Sequence, residues 1–419
     1  MLKNILKEII LRQQTFIPKV HLVKRCIPIE PNGNYVFVGL RRAGKSYMLY
    51  QYIQELISRG HDISEVLFIN FEDERLVDMK KEDLHLLLEA YCELFPHKPI
   101  VFLDEIQNIE GWEHFARRLA DEKYKVFVTG SNAHMLSREI ASTLGGRYLM
   151  KEIWPFTFGE YLKYKDITLG EHWLISPQKN DVVREFADYF RNGGFAESFE
   201  YLDKRQWLTS LYQKILFSDI VVRKSIRSER GIGLIVRKIA DALMHPLSVK
   251  RMHDVIQGGG TKITRETITN YISYLEESYL CFSIPNYRDT LSERSQVKKY
   301  YFHDNGLLSL FILEPEPKLL ENLVAHTLFR KYRENLFYYN RNIEVDFYIP
   351  DEACAIQVAY MLNSEDTRER EVSALAALHA YKPLKRALLI TYNQEGTIVK
   401  GDLQIDIIPI WRWLLQPLL

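Results

Sequence analysis

Short apolar runs alternate with amphipathic stretches through the first 150 residues of the chain. The runs form the cores of predicted strands at 36–38, 65–71, 100–103 and 125–130, with 66–69 and 126–128 as the apolar parts of the second and fourth. Runs that are apolar throughout, rather than at every second position, are typical of strands buried on both faces of a parallel sheet. The stretches between them carry apolar residues at helical spacing. The pattern therefore predicts an α/β fold with a parallel sheet in the N-terminal part of the chain.

Beyond residue 157 the pattern is mainly helical, and strands return only in the last third. We predict helices at 181–190, 207–217, 235–244, 247–256, 265–275 and 319–332. We predict strands at 299–304, 335–340, 343–349 and 353–359. The three helices between 235 and 275, with a glycine turn at 258–260, have the arrangement of a small winged-helix unit, and Thr264 is the expected N-cap of the third. The resulting division is 1–157, 158–225, 226–296 and 297–419.

The turn after the first predicted strand has the spacing of a phosphate-binding loop. Gly39 and Gly44 enclose four residues, and Lys45 and Ser46 follow at the start of the next predicted helix. Glycines let successive N–H groups curl around a phosphate, and the helix directs its positive end to the same place. Lys45 would reach the β- and γ-phosphates of ATP, and Ser46 would bind Mg²⁺. An ordinary glycine-containing turn is the alternative. The residues predicted to contact the nucleotide are Gly39, Leu40, Arg41, Arg42, Ala43, Gly44, Lys45, Ser46 and Tyr47.

Two acids, Asp104 and Glu105, end the third predicted strand. Ligands of parallel sheets bind at the carboxyl ends of the strands, which is where these side chains would lie. We predict that Asp104 helps Ser46 to hold Mg²⁺, directly or through water, and that Glu105 polarises the attacking water. The alternative is a strand that merely ends at charged residues.

Further polar residues are candidates for contact with the γ-phosphate. Asn132 or Ser131 follows the fourth predicted strand and would sense the phosphate or the water, although a helix N-cap is an equally open role. Arg147 follows two glycines and would supply charge to the transferred phosphoryl group, within its own subunit or across to a neighbour, unless it is a surface arginine. Arg41 and Arg42 are candidates for the same task, or they pin the loop to nearby acids.

Composition and charge narrow the class of protein. The 419 residues are 47% apolar and include 55 basic and 55 acidic side chains, so the net charge of zero gives no general argument for nucleic acid or membrane. No apolar run approaches the roughly 18 residues of a membrane helix, and the N-terminus lacks the apolar core of a secretory signal. The four widely spaced cysteines fit reduced thiols. We therefore expect a cytoplasmic protein without membrane contact.

Residues 221–265 depart from this neutral balance, with ten basic and three acidic residues and a local charge of +7. Such a patch on a winged-helix unit favours nucleic acid as a partner, because phosphates are neutralised by Lys and Arg. A protein–protein module with solvated basic residues is the alternative. The basic residues are Arg223, Lys224, Arg227, Arg230, Arg237, Lys238, Lys250, Arg251, Lys262 and Arg265.

An ordered set of motifs resembles one family along essentially the whole chain. The motifs are GLRRAGKS, FINFEDERL, VFLDEIQ, TGSNAHMLS, LGGRY, WPFTFGEYL, NGGF, FSDIVVR and EVDF. They resemble the bacterial and archaeal AAA-type P-loop ATPases that carry a C-terminal domain of unknown function. The resemblance implies an α/β fold class: a parallel-sheet ATPase core, a helical lid, a winged-helix unit and a C-terminal α/β domain like that of restriction endonucleases. It implies ATP and Mg²⁺ as cofactors.

The resemblance to nucleases also implies a metal site in the last domain. A restriction-type nuclease holds Mg²⁺ with a helix Glu, a strand Asp and a following E-x-K. Glu321 and Asp346 stand where the first two would be, but the third element reads Gln357-Val358-Ala359. A neutral amide is a poor Mg²⁺ ligand, and Ala359 supplies no charge. Glu344 would be a partial substitute for the lost acid. We therefore expect a catalytically degenerate domain that serves binding or assembly.

The expected function is a Mg²⁺-dependent ATPase whose nucleotide state repositions its C-terminal domains. Two alternatives stay open. One is a nucleotide-switched module with little turnover that binds a protein partner or a second copy of itself. The other is a DNA-associated ATPase with a residual nuclease-like domain.

Overall fold

The computed structural model describes residues 1–131, 138–287 and 297–416. These residues form two compact units, Met1–Pro155 and Phe156–Leu419. The first unit ends two residues before the predicted boundary at 157. The further division of the second unit into three domains stays a prediction.

The first unit is built on a parallel sheet of five strands in the order β2-β3-β4-β1-β5. The strands are β1 Asn34–Val38, β2 Val66–Asn70, β3 Ile100–Asp104, β4 Val126–Gly130 and β5 Tyr148–Glu152. All the neighbouring pairs run parallel, as the apolar runs predicted. Apolar residues on both faces of β1 to β4 are buried because helices cover the sheet.

Helices and aromatic side chains fill the core of this unit. The helices are α1 Leu2–Phe16, α2 Lys45–Ser58, α3 His85–Cys92, α4 Trp112–Asp121 and α5 Arg138–Leu144. Phe102 and Phe127 stack across neighbouring strands with ring centroids 5.0 Å apart, and Tyr52 of α2 packs on Phe127 at 4.5 Å. Offset ring pairs of this kind add to the stabilisation from buried area. They fix α2, and with it the loop that precedes it, against the sheet.

The second unit opens with helices, as predicted for 158–225. They are α6 Phe158–Tyr164, α7 Gln178–Asn192, α8 Lys204–Lys214 and a π-helix at Ile215–Val222. Three helices and a small antiparallel sheet of order β6-β8-β7 follow. These elements are α9 Glu229–Asp241, β6 Leu247–Ser248, α10 Val249–Gly258, α11 Arg265–Glu277, β7 Cys281–Pro285 and β8 Val297–Phe302. Because β8 pairs with β6 and β7, the predicted boundary at 296 cuts through this sheet.

The remainder is a mixed sheet of six strands in the order β13-β14-β12-β11-β10-β9. Its strands are β9 Phe337–Asn340, β10 Glu344–Ile349, β11 Cys354–Ala359, β12 Arg386–Thr391, β13 Gly396–Lys400 and β14 Leu403–Pro409. Its helices are α12 Asn305–Ser309, α13 Glu316–Tyr332, α14 Glu365–Tyr381 and α15 Ile410–Trp413. The predicted hairpin is confirmed, because β9 and β10 pair antiparallel. No helix in the described part of the chain is long and apolar enough to cross a membrane.

Side-chain amides join the three-stranded sheet to the six-stranded one. Asn286, just beyond β7, donates to the carbonyl of Asn340 at 2.8 Å and accepts from its N–H at 3.0 Å. Asn322 of α13 makes the same reciprocal pair with the main chain of Phe302. These paired bonds satisfy buried polar groups on both sides. They explain why 226–296 and 297–419 belong to one compact unit.

Candidate nucleotide site

The loop between β1 and α2 has the backbone geometry that its glycines predict. Gly39 has φ +145°, and a Cβ there would lie 2.0 Å from the carbonyl oxygen of Ile153, so only glycine fits. Gly44 has φ +94° and Arg42 has φ +61°, both in the left-handed region. Leu40 and Ala43 are buried, whereas Tyr47 is exposed. The loop is thus anchored to the protein interior by the apolar side chains of Leu40 and Ala43.

Lys45, the first residue of α2, is buried within this loop. Its Nζ donates to the carbonyl oxygens of Gly39 and Leu40 at 3.3 and 3.2 Å. It also lies 3.5 Å from Glu105 Oε1. The ammonium therefore sits between the loop and the acids that end β3, where it can meet a phosphate group.

Asp104 is fully buried at the end of β3. Its Oδ1 accepts a hydrogen bond from Thr129 Oγ1 at 2.6 Å, whereas its Oδ2 has no hydrogen-bond partner in the described structure. Burial, and then the charge of Glu105, raises the pKa of Asp104 to about 6, while the Thr129 and Ser46 hydroxyls act against the rise. A buried carboxylate oxygen without a partner is costly unless a ligand completes it.

The neighbouring Glu105 is held in a strained conformation with φ 52°. Its N–H donates to Thr129 Oγ1 at 2.9 Å, and the Gln107 amide donates to its Oε2. Burial alone would raise the pKa of Glu105, but Lys45 and Gln107 outweigh it and lower the pKa. Glu105 is therefore held as an ionised carboxylate.

The residues of this site fit a Mg²⁺ ion that is coordinated partly by the protein and partly by the phosphates of a nucleotide. Ser46 and Asp104 would hold it, and the unpaired Asp104 Oδ2 is the natural first ligand. In the described residues no group of three or more His, Cys, Asp or Glu side chains is arranged to hold a metal. Mg²⁺ in nucleotide sites ordinarily takes one or two protein ligands and completes its shell with water and substrate phosphates.

The other candidate residues differ in their surroundings. Arg41 Nη2 lies 2.6 Å from Glu72 Oε1, just beyond β2, so it pins the loop to a nearby acid. Ser131 is buried, and its hydroxyl lies 3.4 Å from Gln107 Nε2. Asn132 falls outside the described residues.

Arg147 lies at the opposite edge of the sheet from the phosphate loop. It precedes β5, which runs parallel to β1, so it lies at the amino edge, whereas the loop lies at the carboxyl edge. There its Nε pairs with Asp121 of α4. This position agrees with the alternative of a surface arginine, and supply of charge to a transferred phosphoryl group, within its own subunit or across to a neighbour, stays a prediction.

Sequence reasoning missed three residues of the site. Thr129 binds both acids, and its signal was a polar residue inside an apolar strand. Gln107 binds Glu105, and Arg25 is buried with its Nη1 3.3 Å from the carbonyl of Ala43 in the loop. The side chain of Gln51 holds the main chain of Arg25 through two bonds of 2.9 Å. Nothing in the local pattern marks Gln107 or Arg25.

The predicted basic region is largely exposed, with one member used internally. Lys224 Nζ lies 2.6 Å from Glu277 Oε2 and 4.8 Å from the centre of the Tyr274 ring. Thr264 caps α11 as predicted, accepting from the N–H of Thr267 at 3.1 Å. The exposed basic residues are Arg223, Arg227, Arg230, Arg237, Lys250, Arg251, Lys262 and Arg265.

The residues of the predicted nuclease-like site also come together. Gln357 Oε1 of β11 accepts from the N–H of Asp346 in β10 at 2.7 Å, and Asp346 Oδ2 accepts from the N–H of Val358 at 3.1 Å. Glu321 of α13 is buried next to them. Ala359 is buried and carries no functional group.

Comparison with known proteins gives two family matches and two relatives along nearly the whole chain. An AAA domain model matches residues 32–162, and a domain of unknown function (DUF8612) matches 183–317. The uncharacterized protein MJ1544 of Methanocaldococcus jannaschii is 35% identical over 99% of this chain and 96% of its own length. An uncharacterized protein of Haemophilus influenzae is 28% identical over 91% of this chain and 94% of its own.

Two solved structures are similar at 15% sequence identity. The Walker-type ATPase PABY2304 of Pyrococcus abyssi aligns with a TM-score of 0.39 over 66% of this chain and 90% of that chain. The ORC1 protein of Aeropyrum pernix, solved in complex with DNA, aligns with a TM-score of 0.32 over 78% of this chain and 93% of that chain.

Proposed function

We propose that the chain, which belongs to the same family as the uncharacterized protein MJ1544 of Methanocaldococcus jannaschii and matches an AAA domain at residues 32–162, binds ATP with Mg²⁺ and hydrolyses it. One observation carries the proposal. Lys45 Nζ lies 3.5 Å from Glu105 Oε1, and the adjacent Asp104 keeps a buried oxygen without a partner. One edge of the sheet thus brings together a cation that can bind phosphate, a carboxylate that can accept a proton from water, and a buried carboxylate oxygen that can bind a metal.

Each side chain has a distinct role in this proposal. The Lys45 ammonium neutralises charge on the β- and γ-phosphates, and Mg²⁺, held by Ser46 and Asp104, would neutralise the rest. Glu105 accepts a proton from the water that attacks the γ-phosphorus. As the new oxygen–phosphorus bond forms, the bond to the β-phosphate oxygen breaks, and ADP and phosphate leave.

Replacement of Glu105 by Gln tests hydrolysis apart from binding. The amide keeps the shape and accepts no proton, so we expect turnover to fall roughly 100-fold or more with ATP affinity retained. Phosphate release and binding of a fluorescent ATP analogue are the two measurements. Glu110→Gln, an exposed acid in the same segment, is the matched control and should turn over normally. Normal turnover in Glu105→Gln contradicts the assigned role.

We propose duplex DNA as a second ligand, bound through the basic region 221–265 of the winged-helix segment, whose described elements run from α9 to β8. The order helix, strand, helix, helix, strand, strand in this segment is that of a winged helix, and it supports the proposal together with the local charge. Lys262 and Arg265 are exposed at the start of α11, and Thr269 and Asn270 are exposed one turn later. Basic residues would contact phosphates, and the polar pair would face base edges.

DNA binding is measured by fluorescence anisotropy of a labelled duplex over a range of salt. We expect Lys262→Gln/Arg265→Gln to weaken binding and to reduce the slope of log affinity against log salt by roughly 2. The control pair Lys80→Gln/Lys81→Gln makes the same charge change on exposed residues of the first unit. Equal losses in both pairs, or no binding by the wild type, favour a protein partner.

We also propose that nucleotide state moves the second unit as one body in a cytoplasmic protein. The amide pairs of Asn286 and Asn322 support this, because they tie the winged-helix segment to the six-stranded sheet and to α13, respectively. Distances between labels in the two units, measured by fluorescence transfer, should change between ADP and a non-hydrolysable ATP analogue. Labels at two sites within the second unit should keep their distance. The rival, a slow nucleotide switch that binds a protein partner, predicts the same movement with little phosphate release.

A further inference from the structure

In the second unit, three carboxylates surround the ammonium group of one buried lysine. Lys299 is on β8, and only 1% of its side chain is exposed. Its Nζ lies 3.0 Å from Asp346 Oδ1, 3.5 Å from Glu321 Oε1 and 3.6 Å from Glu344 Oε1. Burial on its own would lower the pKa of Lys299, but these carboxylates raise it above its ordinary value. The lysine is therefore charged.

The other polar atoms around this ammonium have partners. Tyr301 Oη donates to Glu321 Oε1 at 2.7 Å. The Gln357 amide accepts from Asp346 N–H at 2.7 Å, and it donates to Glu371 Oε2 at 2.8 Å and to the Glu344 carbonyl at 3.3 Å. A glutamate at 357 would have no N–H for those two acceptors. Gln357 is thus suited to this network as an amide.

The residues do not fit the Mg²⁺ ion that the nuclease resemblance implies here. Mg²⁺ requires oxygens at roughly 2.0–2.1 Å in an octahedral shell that keeps several waters. The three carboxylates stand instead around an ammonium nitrogen, at 3.0 to 3.6 Å from it. Lys299 and Glu321 are each 1% exposed, whereas Asp346 and Glu344, at 15% and 50%, form the solvent side of the cluster. Gln357 Oε1, the atom of that side chain that would ligate a metal, accepts instead from the N–H of Asp346 at 2.7 Å.

We propose that the Lys299 ammonium is the permanent cation of this site and replaces a divalent ion there. The strand that carries it belongs to the three-stranded sheet, whereas its acceptors belong to α13 and β10. The ion cluster therefore fixes the winged-helix segment to the six-stranded sheet, and the C-terminal part works without metal as a binding or assembly module. This inference stands independently of ATP hydrolysis at the phosphate loop.

The first test uses the wild-type residues of the cluster. Melting temperature is measured with EDTA and with Mn²⁺ in an Asp104→Asn background, so that metal at the phosphate loop does not contribute. We expect no shift between the two conditions. A rise with Mn²⁺ that disappears on Asp346→Asn, or Mn²⁺-dependent cleavage of DNA that disappears with it, overturns the proposal.

The second test removes the cation. Lys299→Met leaves buried carboxylates uncompensated, and we expect melting to fall by roughly 10 °C. Lys298→Met, on the same strand with its Nζ 3.5 Å from Ser283 Oγ, is the control and should melt near the wild type. Adding Glu321→Gln and Asp346→Asn to Lys299→Met removes the uncompensated charge and should recover at least half of the loss. A triple variant no more stable than Lys299→Met, or a Lys299→Met protein as stable as its control, overturns the proposal.

Discussion

The two lysine–carboxylate sites of this protein use the same chemical groups and are satisfied to different degrees. At the phosphate loop, Lys45 is paired with one carboxylate, and its other contacts are main-chain carbonyls. Asp104 Oδ2 and Gln107 Oε1 there are buried without a partner. Around Lys299, the described side-chain oxygens and nitrogens of Glu321, Asp346 and Gln357 are not among the buried atoms that lack one.

This difference separates a site for a ligand from a site for structure. Buried polar atoms without partners cost free energy, so their persistence indicates something that completes them. A fully satisfied network has nothing to offer a ligand and instead makes the packing specific. A buried lysine does not by itself indicate whether a site binds a ligand. The presence or absence of buried polar atoms without a partner around it does.

Exchange of the two lysines for methionine should give opposite results and the largest effects. Lys45→Met is expected to lower ATP affinity by roughly 100-fold, since hydrogen bonds from a charged donor are lost, with little change in melting temperature. Lys299→Met is expected to lower melting temperature and to leave ATP affinity near the wild type. Nucleotide titration and thermal melting of both variants check this. A joint loss of affinity and stability in either variant would remove the distinction between the sites.

Thr129 offers a smaller and sharper test of the phosphate-loop site. Its hydroxyl donates to Asp104 Oδ1 and accepts from the N–H of Glu105, so it orients both acids. Thr129→Val keeps the shape and removes both bonds, and we expect turnover and Mg²⁺ affinity to fall roughly 10-fold, as for other groups that orient ligands. Thr129→Ser should recover most of the loss. Equal defects in the Val and Ser variants would point to packing in β4 and not to the hydroxyl.

The elements of the first unit were predictable wherever burial leaves a continuous apolar run. β1 to β4 are such runs, and helices on both faces explain them. β5 was not predicted, because it is an edge strand in which Lys151 and Glu152 are only partly buried. The loop and the two acids were predictable because their chemistry is local in sequence.

Contacts between distant stretches could not be predicted from a local pattern. Thr129 meets Asp104 only because β4 lies beside β3, and Lys299 meets Asp346 across 47 residues. The NGGF motif contributed only to the family resemblance, and nothing in the neighbouring sequence explains its glycines. A Cβ on Gly193 would lie 2.0 Å from Asp304 Oδ1, and Asp304 accepts from the N–H of Gly194 at 2.8 Å. The reason for Gly193 is thus more than 100 residues away, whereas a Cβ on Gly194 would lie 2.2 Å from the carbonyl oxygen of Phe156.

The smallest effects are expected from the two glutamines, and they sharpen the contrast between the sites. Gln357→Glu restores the acid of the nuclease pattern, but it removes two N–H donors and places a carboxylate next to Glu371. We therefore expect the free energy of unfolding to fall by about 2 kcal/mol. We expect no Mg²⁺-dependent cleavage. Gln107→Met removes one bond to Glu105 at a site that already tolerates unpaired atoms, so we expect turnover to fall only a few-fold with unfolding nearly unchanged. Denaturant unfolding and phosphate release on both variants separate these outcomes. If Gln357→Glu gains Mg²⁺-dependent cleavage, the second site can bind a metal. That result would contradict a purely structural role for Gln357.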